Sequence, residues 1–156
     1  MLILSLKRRK KKNKMKTKIA KIGKIFNLWL PPFLWMALIF FFSSLPTIKT
    51  SKFYWQDFLL KKTAHFVEYA VLSLFYFRAF WGSKFSFKKS AFLSILISFF
   101  YALSDEYHQS FVPGREPRIR DVVIDTLGAS FAVYLINKYQ NKFPPLLKKF
   151  LGFDSS

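Results

Sequence analysis

Four blocks of mostly apolar residues, at 25–45, 61–81, 90–106 and 121–139, leave this chain few folds to choose from. About twenty helical residues span the hydrocarbon of a bilayer, so blocks of this length predict membrane helices. Only helices and closed barrels satisfy their backbone groups in lipid. The expected fold class is therefore all-α: a membrane bundle of four transmembrane helices at 25–140. A basic cytoplasmic tail (1–24) precedes it, and an interfacial tail (141–156) with aromatic residues among lysines follows it.

Charge orients the bundle. Eleven of the 26 Lys and Arg lie between Lys7 and Lys24. No nucleic-acid-binding fold follows them, so nucleic acid is not the expected partner. A cytoplasmic flank held by anionic membrane lipids is. With the N-terminus inside, both tails and the 82–89 loop are cytoplasmic, carrying eleven, four and three basic residues, against seven in the outer connectors. The positive-inside rule supports that orientation. Met15 resembles an alternative start. The tail and first apolar run resemble a signal peptide, but no small-x-small site closes the run, which predicts an uncleaved anchor. Cysteine is absent, so disulfides and Cys-based metal sites are excluded.

Local signals refine the helices. Pro31 and Pro32 predict a kink or restart in the first helix. Phe53, Tyr54, Trp55 and Phe58, in a connector at 47–60, suit an aromatic belt at headgroup level. Arg78, near the far end of the second helix, is expected to snorkel. Pro113-Gly114 predicts a turn. Gly128 and Ala132 predict close approach of a neighbouring helix.

The acidic residues are few and bunched. Five of the eight, namely Asp105, Glu106, Glu116, Asp121 and Asp125, fall between Ser104 and Asp125, with His108 and Gln109 among them. The other histidine, His65, lies three residues before Glu68. Lys61, His65, Glu68 and Leu72 share a helical face, as do Ala102, Asp105, Glu106 and Gln109, and again Asp121, Asp125, Gly128 and Ala132. The helix count brings all of these to one membrane surface, as a funnel narrowing into the bundle. An intramembrane carboxylate costs roughly 2.5–3.5 kcal/mol, so Glu68 and Asp125 are expected to face inward and be paired or neutral.

These residues resemble a known family. Lys61-Lys62-Thr63-Ala64-His65-Phe66-Val67-Glu68-Tyr69 is similar to the Lys-x-x-x-His-Phe-x-Glu-Tyr element of VanZ-like membrane proteins. The run from Asp105 to Arg115 resembles their Asp-Glu-x-His-Gln-x-Phe-x-Pro-Gly-Arg element, and 121–128 their Asp-Val-x-x-Asp-x-x-Gly ending. Phe42-Ser43-Ser44-Leu45-Pro46 resembles the close of the family's first helix. The resemblance implies a small polytopic bundle in a bacterial cytoplasmic membrane. The family is named for a protein linked to resistance to the glycopeptide antibiotic teicoplanin.

Several chemistries fit the cluster. His65, Glu68, Asp105, Glu106, His108, Gln109, Arg115, Asp121 and Asp125 are the candidate binding residues for a cell-wall precursor or another envelope component, with Arg115 suited to a phosphate. A membrane-embedded enzyme is the alternative: His65 as base oriented by Glu68, with Glu106 or Asp121 as acid. His65-x-x-Glu68 and Glu106-x-His108 offer nitrogen and oxygen ligands, but the paired Glu-x-x-His of di-iron bundles is absent, so no metal or other cofactor is expected. A proton path is disfavoured because no acid lies in the inner half of a span. The plainest reading is that these ion pairs only hold helices together.

Overall fold

In a computed structural model, which describes residues 2–46, 54–115 and 117–153, the chain is all-α, with no strand among the described residues. The helices are α1 (Leu2–Ser43), α2 (Tyr54–Gly82), α3 (Phe87–Gln109), α4 (Ile119–Tyr139) and α5 (Pro145–Leu151), with a 3-10 turn at Gln140–Lys142. From Lys12 onward α1 is long and apolar enough to cross a membrane, and so is α3.

The helix α2 is the hub, touching α1, α3, α4 and α5, and its pairing with α4 is the most extensive in the bundle. Tyr69, Leu72, Ser73, Tyr76, Phe77 and Phe80 are buried at the 3–4 residue spacing that keeps one helical face inward. On α4, Gly128 lies so close to α2 that a Cβ there would sit 2.2 Å from the Phe66 carbonyl oxygen. The close approach expected of Gly128 and Ala132 is therefore found, with Ala129 and Ala132 buried beside it. A second small-residue seam was not anticipated: Ser90, Ser94, Ser98 and Ala102 are buried at every fourth position of α3, and the row runs into Glu106.

Four expectations need correction. The basic head is helical and continuous with the first apolar run, because Lys, Arg, Leu and Met favour helix and no proline occurs before Pro31. The helix does not restart at Pro31 and Pro32. Pro31 lacks the N–H that would bond the Asn27 carbonyl four residues back. Arg78 Nη1 donates to that carbonyl instead, at 3.0 Å, and Arg78 Nε donates to the Phe150 carbonyl at 2.8 Å. Arg78 thus ties α2 to both α1 and α5 rather than simply extending to solvent. Helix ends also reach further than expected: α2 begins within the predicted connector, and α3 runs past the apolar block at 90–106 through His108 and Gln109.

Residues 47–53, Glu116 and Asp154 lie outside the described residues. Of the expected aromatic belt only Trp55 has a described side chain, and it is exposed. The C-terminal segment docks in part, with Leu151 buried against Phe77 and Ile136, while Leu146 is exposed.

Candidate functional site

The end of α1, the start of α2, the end of α3 and the start of α4 meet at one end of the bundle, and the scarce polar residues meet there too. A chain of hydrogen bonds, buried at Ser43, Asp105 and Gln109, runs across it. Ser43 Oγ donates to Asp105 Oδ2 at 2.9 Å, and Gln109 Nε2 donates to the same oxygen at 2.8 Å. Arg115 Nη1 donates to Gln109 Oε1 at 3.1 Å. Arg115 Nη2 donates to the Phe42 carbonyl at 2.8 Å and its Nε to the Leu45 carbonyl at 3.3 Å, capping the carbonyl end of α1. The guanidinium fork expected to hold a phosphate is thus engaged in closing the cluster. Burial pulls Arg115 below its ordinary pKa, while Asp105, Glu106 and Glu68 act to keep it charged.

The predicted turn explains how Arg115 gets there. Arg115 N donates to the Val112 carbonyl at 3.2 Å across Pro113-Gly114. Gly114 has φ 79, the positive value that position i+2 of a type II turn requires.

Between α2 and α4 the polar groups pair directly. Lys62 Nζ forms an ion pair with Asp121 Oδ2, and Arg120 Nε lies 3.7 Å from Asp121 Oδ1. His65 Nδ1 lies 3.6 Å from Asp125 Oδ1. This is longer than a normal hydrogen bond. Glu106 Oε1 accepts from the Arg118 backbone N–H at 2.5 Å, at the N-terminal cap of α4.

Glu68 is different. It interacts electrostatically with His65, Asp105, Asp125 and Arg115, which sets it amid the cluster. Yet among the described residues its carboxylate has no hydrogen-bond or ion-pair partner; only its backbone carbonyl is bonded, by Trp35 Nε1 at 2.9 Å. Several neighbours also keep polar atoms without a protein hydrogen bond: His65 Nδ1, Asp105 Oδ1, Asp121 Oδ1 and Asp125 Oδ1 are all buried in this way.

Of the nine residues singled out from the sequence, eight converge. His108 stands to the side, its ring 4.2 Å from that of Phe40 on α1 and its Nδ1 buried without a partner. Among the described residues no three His, Asp or Glu side chains are grouped to hold a metal ion. The carboxylate paired with His65 is Asp125, on another helix, rather than Glu68 one turn along its own.

Three contributors were not foreseen. Lys62, not the exposed Lys61, faces Asp121. Ser43, 2% exposed, marks the end of a helix in the sequence and carries no sign of its bond to Asp105. Tyr69 is fully buried between His65 and Tyr101, with ring centroids at 6.5 and 6.0 Å, and its hydroxyl has no partner. Lys62, His65, Tyr69 and Leu72 form one helical stripe, so the registry was readable once Lys62 was chosen over Lys61.

No curated protein and no solved structure matches the chain. A family model described as VanZ/LLP1 matches residues 1–140, which takes in every element of the cluster. On that match the chain belongs to the VanZ/LLP1 family.

Proposed function

We propose that this is a four-span protein of the bacterial cytoplasmic membrane, with both termini inside. We propose further that its polar cluster, at the outer face, binds or modifies a cell-envelope component such as a lipid-linked headgroup or glycan, and so affects susceptibility to teicoplanin.

Length and exposure support the span count. At 1.5 Å per residue the 21 residues of α4 reach about 31 Å, close to the hydrocarbon thickness of about 30 Å. Phe33, Phe41, Phe92, Phe100, Leu127 and Phe131 are exposed, while serines and acids are buried. That inverts the usual partition between a core and water and suits a lipid solvent.

One observation carries the functional reading: Glu68, a carboxylate without a partner among the described residues, lies amid buried polar atoms that make no hydrogen bond. Groups serving only to hold helices together would be paired off, since an unpaired buried polar group costs stability. A polar ligand with hydroxyl or amine donors would answer both.

Glu68→Gln separates the readings. It should abolish the teicoplanin phenotype, and any change in envelope lipids between cells with and without the intact gene, while leaving membrane protein level and melting temperature unchanged. If Glu68→Gln retains the phenotype, or if its loss of phenotype tracks loss of folded protein, the cluster is structural and the proposal fails.

A further inference from the structure

The opposite end of the bundle carries a second feature that the polar cluster does not explain. Where α1, α2, α5 and the α2–α3 turn meet, a cavity of about 720 Å³ is lined by Lys24, Arg78, Lys84 and Lys149, with Trp81 and Phe85 among them. Among the described residues no carboxylate lines it, and Lys24, Lys84 and Lys149 pair with none. Arg78 to His65 is thirteen residues along α2, so the two sites are about 20 Å apart along the helix.

Lys84 holds φ 71 because it closes α2: its N–H donates to the Trp81 carbonyl at 3.0 Å and the next N–H, of Phe85, to the Phe80 carbonyl at 3.2 Å, which fixes this lysine at the rim of the cavity. One detail indicates an anion of a particular kind. Beside the cavity runs a groove of about 430 Å³ along α1, lined only by apolar residues including Ile22, Phe26, Trp29 and Phe33. The two are linked through ring contacts, Trp29 to Phe80 at 5.1 Å and Phe80 to Phe85 at 5.5 Å. Exposed cations beside an apolar furrow match an amphiphile with a phosphate head and acyl chains.

We infer that this cavity binds one anionic glycerophospholipid, its phosphate held by Lys24, Lys84 and Lys149 and an acyl chain lying along α1. Basic pockets between helices on the cytoplasmic side suit such headgroups. Arg78 is a structural neighbour here, since its Nε and Nη1 hold backbone carbonyls.

Native mass spectrometry of the full chain in detergent, titrated with phosphatidylglycerol, phosphatidylcholine or glycerol 3-phosphate, tests this. One equivalent of phosphatidylglycerol should be retained in preference to phosphatidylcholine. Replacing Lys24, Lys84 and Lys149 together by Gln should weaken retention at least tenfold. Removing the same charge from the exposed head, by Lys12→Gln, Lys16→Gln and Lys21→Gln together, should change it less than twofold. Equal retention of the two lipids, equal loss from both triple variants, or glycerol 3-phosphate binding as tightly as the lipid would each overturn the assignment. Should the pocket variant not fold, tryptophan quenching in wild-type protein decides: brominated phosphatidylglycerol should quench more than brominated phosphatidylcholine at equal mole fraction, and equal quenching overturns the inference.

Discussion

Three glycines of this chain should respond to the same substitution in three different ways, and the reason lies in what a methyl group would meet at each. At Gly128 the added Cβ falls 2.2 Å from the Phe66 carbonyl oxygen and 3.1 Å from its Cα. Both are backbone atoms within a helix, so neither can swing aside. A carbon and a carbonyl oxygen need about 3.3 Å, so α2 and α4 must separate by about 1 Å at this point. Overpacking of this kind costs about 1–3 kcal/mol. For a chain this size that is roughly 2–12 °C in melting temperature. Gly128 lies less than one turn from Asp125, and Phe66 is next to His65. The separation therefore lengthens the His65 Nδ1 to Asp125 Oδ1 distance beyond its present 3.6 Å and strains the Lys62–Asp121 pair.

At Gly23 a Cβ meets nothing within 4 Å, in the middle of an exposed helical stretch. Gly23→Ala should stabilise that helix by about 0.5–1 kcal/mol, the ordinary helix-propensity gain. At Gly82 the nearest atoms to the Cβ are the side-chain methyls of Leu28, at 2.6 and 2.9 Å, and a rotamer change relieves the contact. Thermal unfolding of the three alanine variants in one detergent should give a rise for Gly23→Ala, little change for Gly82→Ala and a fall for Gly128→Ala. The reasoning is refuted if Gly128→Ala melts with the wild type, or if the three shift together.

Other expectations follow from the same contacts. Pro31→Ala restores an N–H for the Asn27 carbonyl, so Arg78→Gln should cost less in that background than in the wild type, with a coupling of about 0.5–2 kcal/mol in a double-mutant melting cycle. Lys62→Met removes the nearer of the two cations beside the buried Asp121 carboxylate, leaving Arg120 at 3.7 Å, and should cost about 2 kcal/mol, partly recovered by adding Asp121→Asn; a single variant that melts with the wild type would show the pair to be unimportant. Ser43→Ala removes one donor to Asp105 Oδ2 and should cost about 1 kcal/mol, read as a lower melting temperature, because Gln109 still bonds that oxygen.

How far the sequence reaches can be judged from particular residues. The cluster was legible because acids and histidines are so scarce that their bunching stands out, and because antiparallel helices bring the end of one to the start of the next. Ser43 and Tyr69 were not legible, since neither carries charge and both types also occur in ordinary apolar helices. Lys61 and Lys62 sit about 100° apart on a helix, and the choice between them depends on which face α4 covers. That is fixed by the Gly128–Phe66 approach, a tertiary fact. The charge of the basic head points to a tail, whereas its residue types favour the helix that forms. Pro31 is the instructive case. A proline within a helix announces from sequence alone which carbonyl it leaves unbonded, here that of Asn27, because the lost bond always lies four residues back. Which donor answers is decided by the fold. Arg78, expected to reach outward for water, instead turns to the one carbonyl that the proline set free, and the same guanidinium holds the C-terminal helix against the bundle.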